Sequence, residues 1–392
     1  MNKMAPSSGP KYLGGSGGLA PQLCVPKITR IRLWHVPLTS HETYYMASGK
    51  TCDTVETVVL ALDTDTGLTG WGEVCPIPHY LPAYARGVGP ALEDMAPVIL
   101  GASPLGPEAL IAKLDAHLPD FRFAKSAVDI ALWDLTAQAA GLPLHALVGG
   151  QRQADLPLYH SITCIDPVEM ARIARDAQSK GIKQFQAKLG ADDDWQADVE
   201  RLHKVREAVG PGPIVYGDWN CGADRLTATR VARGVAHLDV MIEQPCATIA
   251  DCAAVRTATG LPIKMDELAH DTATLLEANA AQCLDAVALK ISKFGGLSKL
   301  RAARDLCLHL GARMCVECTW GSDIVTAASL HLAAATDPKL LLNTCDLSGY
   351  VGPRLDPNAP TRSAGRIAPP TGPGLGVSPD LDLLGTPDQI YD

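Results

Sequence analysis

A rhythm in the second half of the chain limits how it can fold more than any other feature. Eight short apolar runs begin roughly 23 to 29 residues apart: LPLYHSI (156–162), FQAKLG (185–190), IVYGDWN (214–220), VMIEQP (240–245), IKMDEL (263–268), AVALKIS (286–292), RMCVECTW (313–320) and LLLNTCD (340–346). Helix-patterned segments separate most of them, and RIARDAQSKG and LRAARDLCLHLG each close on glycine, the residue that best takes the left-handed turn at a helix end. Parallel strands need a crossover of a dozen or more residues, and eight βα units suffice to close a sheet on itself. The rhythm predicts a (β/α) barrel over residues 151–352. A doubly wound open sheet is the competing arrangement, but no glycine-rich dinucleotide fingerprint follows an early strand.

The first part of the chain has a different pattern. ITRIRLWHVPL alternates like a strand, and TVETVVLALDTDTGLTGWGEV reads as two strands around a DTDTG turn. Between them HETYYMASGKTCD is polar and contains glycine, which predicts a mobile loop. AKSAVDIALWDLTAQAAG repeats its apolar residues at helical spacing and is stopped by Gly141 and Pro143. Residues 27–150 are therefore expected to form an α+β domain, completed by the proline-rich tail at about 353–392. Residues 1–26, rich in Gly, Ser and Pro, read as a flexible leader.

Composition excludes several function classes. Acidic residues outnumber basic ones, 43 to 34, and no Lys/Arg block is present, so nucleic acid is not an expected partner. No apolar run reaches membrane-spanning length. The 12 cysteines are scattered, mostly within apolar runs, and no secretory signal is visible, which predicts free thiols and a cytoplasmic protein. Cys315 and Cys318 have a metal or redox spacing, but no second Cys/His pair follows nearby, and burial is the expected role.

Charged residues stand at matching places in the barrel runs. Asp218, Glu243 and Asp266 each arrive near the end of an apolar stretch, so in a parallel barrel they meet at the mouth. Three carboxylates favour a hard cation such as Mg²⁺. Lys188 precedes the set and Lys290 follows it, flanking the carboxylates from opposite sides as an acid–base pair. Gln186 lies two residues before Lys188 and shares its face. A lone charge at a strand end is usually a cap or a solvated rim residue. Five of the needed types at consecutive strand ends make that reading unlike the pattern observed.

GDWN, IEQP and MDE, with FQAKLG before and ALKISKFGG after, resemble the enolase superfamily, muconate-lactonizing subgroup; AKSAVDIALWDLTAQAAGLPLHALVGG resembles that group's entry into the barrel. The resemblance runs from about Ile28 to the C-terminus. It implies a modified (β/α) TIM-type barrel with an α+β N-terminal capping domain, and a homo-oligomer acting on a small-molecule substrate. It also implies one Mg²⁺ held by Asp218, Glu243 and Asp266, with Lys188 and Lys290 as the acid–base residues. Many relatives carry a second lysine where this chain has Gln186, which weakens a transfer of dipeptide-epimerase or lactonizing activity. FQAK, TWGSD and DELAHD most resemble the branch acting on proline derivatives, which implies dehydration of cis-3-hydroxy-L-proline.

The chemistry follows from charge. Removing a proton α to a carboxylate leaves a dianion, which a divalent cation stabilises by roughly several kcal/mol. With a lysine on each face, the dianion either is reprotonated from the other side, giving epimerisation, or expels a β-hydroxyl, giving dehydration. An epimerase acting on a proline betaine is the alternative, and a Schiff-base aldolase or a catalytically silent barrel lies outside that pair. Trp320 offers its indole face to a cationic ring nitrogen or packs the rim. Asp346 pairs with the same ammonium or caps its strand, and Tyr44 or Tyr45 reaches the ligand from the first domain.

Overall fold

The computed structural model describes residues 25–78 and 81–392, so nearly all of the expected leader lies outside the described residues. An antiparallel sheet comes first: β1 (Ile28–Tyr45), β2 (Thr51–Thr64) and β3 (Thr69–Val74). Period-two alternation sends its two faces into two cores. Ile31, Leu33, Val58, Leu60 and Leu62 pack with α1 (Val88–Ile99), α2 (Pro107–His117) and α3 (Arg122–Ala140). Trp34, Val36, Leu38, Val59 and Ala61 join the barrel core instead. The sheet is thus covered on both sides. The short α4 (Leu144–Leu147) follows.

Helix α3 lies so close to β3 that the strand must be bare there. A Cβ on Gly72 would stand 1.9 Å from the carbonyl oxygen of Ala127, and one on Gly70 2.4 Å from that of Ala131. Backbone cannot yield as a side chain does, so Gly72→Ala is expected to destabilise the protein by roughly 3 kcal/mol, read as a lower urea midpoint. An unshifted midpoint would contradict this helix–strand approach.

After β4 (Leu156–Pro157), the barrel strands and helices alternate: β5 (His160–Ile162), α5 (Pro167–Ser179), β6 (Gln184–Lys188), α6 (Trp195–Val209), β7 (Ile214–Asp218), α7 (Arg225–Gly234), β8 (Met241–Glu243) and α8 (Ile249–Thr259). They continue with β9 (Ile263–Met265), α9 (Thr272–Ala280), β10 (Ala286–Lys290), α10 (Ile291–Phe294), α11 (Leu297–Leu310), β11 (Arg313–Glu317), α12 (Asp323–Ala334) and β12 (Leu341–Thr344). Strands β5 to β12 form one parallel sheet in chain order. Its ends meet where Leu158 bridges Thr344 and where the Gln184 and Asn343 amides hydrogen-bond across the gap, Asn343 Nδ2 donating to Gln184 Oε1 at 2.7 Å. The barrel expected from the rhythm is the observed architecture. Each apolar run contributes to it, although LPLYHSI is divided: Leu156 and Pro157 pair with β14 (Arg366–Ile367), and only His160–Ile162 pair with β6.

Helix caps account for a second class of acidic residues. Asp166, Asp194, Asp224 and Asp271 accept backbone N–H groups at the starts of α5, α6, α7 and α9. These are helix-start acids, distinct from the carboxylates at the strand ends.

Two features differ from the sequence expectation or extend it. The polar stretch 41–53 is a hairpin tip rather than a loop: β1 runs to Tyr45, with Tyr44 paired to Cys52 and Tyr45 to Thr51. Alternation there buries Tyr44, Met46 and Cys52, and Ser48 N–H donates to Gly190 O at 2.9 Å, docking the tip on the barrel. The tail returns to the first sheet, where β13 (Val351–Gly352) and β15 (Gln389–Tyr391) pair antiparallel with β1; α13 (Leu381–Leu384) lies between them in sequence. Among the described residues no helix is long and apolar enough to cross a membrane, and the cysteines are free thiols.

Candidate active site

Strand register brings the charged residues level. Lys188 on β6 is the Cα partner of Asp218 on β7, Asp218 is the partner of Glu243 on β8, and Glu243 is the partner of Lys264 on β9. Asp266 follows β9 directly, two residues beyond Lys264, so the two point the same way. Lys290 ends β10 opposite Glu317, which ends β11. Parallel strands thus deliver all of these side chains to one end of the barrel.

Ammonium and carboxylate groups alternate within this set. Lys188 Nζ donates to Asp218 Oδ2 at 2.6 Å and to Asn220 Oδ1 at 3.1 Å. Lys290 Nζ donates to Asp266 Oδ2 at 2.7 Å, and Lys293 Nζ to Asp266 Oδ1 at 2.6 Å. The Gln186 amide donates to Asp218 Oδ2 at 3.1 Å and to Glu243 Oε2 at 2.8 Å, while its oxygen accepts from Ser161 Oγ at 2.8 Å. Asn220 Nδ2 reaches Glu267 Oε1 at 3.0 Å. Lys264 Nζ lies 2.9 Å from Glu243 Oε1, an ion contact without hydrogen-bond alignment. It also sits 4.3 Å from the centre of the Tyr216 ring.

Burial governs the protonation states. Asp218, Glu243 and Asp266 are fully buried. Desolvation pushes the Glu243 carboxyl up to about 7; Lys264 opposes this, but the negative charge of Asp218 and Asp266 adds to it. Burial also opposes ionisation of Asp266, yet Lys290 and Lys293 hold it well below the usual carboxylate range. Desolvation works against charge on Lys188, but Asp218 and Glu243 outweigh it and keep the ammonium protonated. Lys290 is likewise raised against its burial by Asp266, Glu317 and Glu267.

The carboxylate set fits a hard divalent cation by its chemistry: three oxygen-donor side chains, no soft ligand, and a Glu243 whose charge its acidic neighbours disfavour. Among the described residues no three acidic, histidine or cysteine side chains are drawn in to metal-ligand spacing, because lysine ammoniums make the close contacts. A cation there would exchange for some of those contacts.

Lys188, Lys290 and Gln186 line one cleft, about 610 Å³ when its open mouth is included. The capping sheet closes it with Tyr44 and Met46, and Trp320 lines it from the loop after β11. Two expected substrate contacts are placed elsewhere. Tyr45 is 44% exposed and points away, since adjacent strand residues face opposite sides, and Tyr44 takes the inward position. Asp346 does not line the cleft, because Arg362 engages both of its oxygens at 2.6 Å. Lys293 joins the set because the strand ends at Lys290 and the helical turn α10 carries Lys293 back to Asp266. His160 stacks on Tyr350 with ring centres 6.1 Å apart, and burial lowers its pKa to about 4, so it stays neutral.

Sequence reasoning passed over Lys264, Asn220 and Glu317. The signal for Lys264 was present in IKMDEL, where it shares parity with Asp266 as Gln186 does with Lys188. Glu317 closes RMCVE in the same way.

Residues 28–149 match the family described as mandelate racemase / muconate lactonizing enzyme, N-terminal domain, and residues 169–383 match the enolase C-terminal domain-like family. The chain is 38% identical over 367 residues to the cis-3-hydroxy-L-proline dehydratase of Roseibium aggregatum, covering 93% of this chain and 100% of that one. It is 29% identical to the L-Ala-D/L-Glu epimerase of Bacillus subtilis, covering 90% and 97%. A crystal structure of an enolase superfamily member from Roseovarius nubinhibens, complexed with magnesium, superposes with a TM-score of 0.89 at 32% identity, covering 94% of this chain and all of that one.

Proposed function

This chain is an enzyme of the enolase superfamily, in the mandelate racemase / muconate lactonizing family, and from that premise we propose that it is a Mg²⁺-dependent lyase dehydrating cis-3-hydroxy-L-proline. The observation that carries this reading is the pair of buried amines, Lys188 and Lys290, lining one cleft on opposite sides of the carboxylate row. Asp218, Glu243 and Asp266 would hold the cation, which supplies the positive charge that makes an α-proton of a carboxylate removable.

One lysine Nζ takes the proton from C2. The other gives a proton to the 3-hydroxyl, which leaves as water while the C2 electron pair forms the ring double bond. The enamine then tautomerises to Δ1-pyrroline-2-carboxylate. The accepting lysine must be neutral, and Lys188 loses its proton readily only when the charge of Asp218 and Glu243 is offset by something other than Lys188 itself. Gln186, tied to Asp218, Glu243 and Ser161, keeps those carboxylates in place without adding charge.

Opposed lysines also suit delivery of a proton to the other face of C2, so epimerisation of a proline derivative such as hydroxyproline betaine is the second reading. Incubation with cis-3-hydroxy-L-proline and Mg²⁺ is expected to yield a cyclic imine, trapped with an o-aminobenzaldehyde reagent. Recovery of C2-inverted substrate alone would replace the lyase with the epimerase. The same reading includes a homo-oligomer in the cytoplasm, checked by light scattering and by fractionation.

A further inference from the structure

The substrate proposed above is a zwitterion, and its two charges need separate partners. Its carboxylate belongs with the cation site. Its ring ammonium needs a counter-charge inside the cleft, where an unpaired charge is costly. Among the described side chains lining that cleft, Glu317 alone is acidic. It is 2% exposed; among the described residues no salt bridge includes it, although its charge is felt by Lys290 beside it and by Lys264. Asp346, by contrast, is satisfied by Arg362. The Tyr159 hydroxyl donates to Glu317 Oε2 at 2.6 Å and fixes the carboxylate from one side. Strand register sets Glu317 beside Lys290, at the level where the reacting carbon would lie. Tyr44, Tyr350 and Trp320 line the same cleft as an aromatic wall with ring centres 5.4 to 6.3 Å apart, and the buried Trp320 Nε1 has no hydrogen-bond partner among the described residues. Such a wall favours a cation without binding a specific N–H.

We propose that Glu317 binds the substrate's protonated ring nitrogen by accepting its N–H, so that the site selects cyclic amino acids with a secondary amine over N,N-dimethylated or neutral-ring analogues. This rests on the amino-acid reading above and narrows it. A quaternary nitrogen has no hydrogen to give, so a betaine would leave Glu317 without a hydrogen-bonded counter-ion.

The test is equilibrium binding to the Mg²⁺-loaded protein of three probes that lack the 3-hydroxyl and so cannot be dehydrated: L-proline, N,N-dimethyl-L-proline and tetrahydrofuran-2-carboxylate, which has oxygen in place of the NH₂⁺. L-Proline is expected to bind the unaltered protein roughly 10- to 100-fold more tightly than the oxygen analogue, the range for a hydrogen bond to a charged group. Glu317→Gln keeps an acceptor for Tyr159 and should bring that ratio close to one without weakening the oxygen analogue. Tyr159→Phe, which frees the carboxylate without removing it, should lower the ratio by less. An unaltered protein that binds proline and its oxygen analogue equally, or a Glu317→Gln variant that keeps the preference, would overturn the assignment. The unaltered protein alone decides it if the variant does not fold. If cis-3-hydroxy-L-proline is not dehydrated but the preference vanishes in Glu317→Gln, the elimination chemistry fails and the amine subsite stands. If dehydration occurs while the preference survives in the variant, the subsite fails alone.

Discussion

Lys188→Met is expected to lower turnover by about 10²- to 10⁴-fold, the contribution typical of a positioned general acid or base, and Lys290→Met by a similar factor. The two variants should differ in a second measurement, exchange of the substrate's α-proton with deuterated water. The lysine that removes the proton is the one whose loss stops exchange. The lysine that protonates the departing hydroxyl is the one whose loss permits exchange but blocks imine formation. Folding should survive the first substitution, because Asp218 retains the Asn220 backbone N–H at 2.8 Å, the Asn220 amide at 3.2 Å and the Gln186 amide at 3.1 Å. Thermal melts run alongside separate a chemical loss from an unfolded one. A loss below about tenfold in both variants would remove the acid–base pair and the reaction with it.

The barrel was legible because its evidence is repetitive. Each strand is a short apolar run, each run recurs after a helix-length gap, and polar residues arrive at strand ends where the sheet meets solvent or ligand. The same logic picked out Lys188, Asp218, Glu243, Asp266 and Lys290, and the register brings them to one end of the sheet. What escaped depends on tertiary context. Lys264 sits inside an apolar run, where a charge is expensive; Glu243 and the Tyr216 ring make it tolerable, and both come from other strands. Lys293 needed the strand to give way to a helical turn after Lys290, a boundary that apolar periodicity does not mark. Tyr44 and Tyr45 could not be told apart until the hairpin register was known. Asp346 looked available because Arg362, its partner, lies in the irregular tail.

Lys264 carries the second large expectation. It is fully buried, and its sole ion contact among the described residues is Glu243. Lys264→Met keeps most of the side-chain volume against Tyr216 but removes the charge that holds Glu243 down, so Glu243 must either stay ionised beside Asp218 and Asp266 or take up a proton, with the Gln186 amide as its remaining hydrogen bond among the described residues. Breaking one partner of a buried pair typically costs about 3–5 kcal/mol, and that loss is expected in urea denaturation with a chelator present. Mg²⁺ bound to the same carboxylates would replace the missing positive charge, so it should stabilise the variant more than the unaltered protein. Equal stabilisation of both, or a variant unharmed in chelator, would show that Lys264 does not offset the charge of Glu243. Adding Glu243→Gln to Lys264→Met removes both charges at once. The double variant should regain much of the lost stability without metal, and should no longer respond to Mg²⁺, because the repair that restores the fold deletes a proposed ligand.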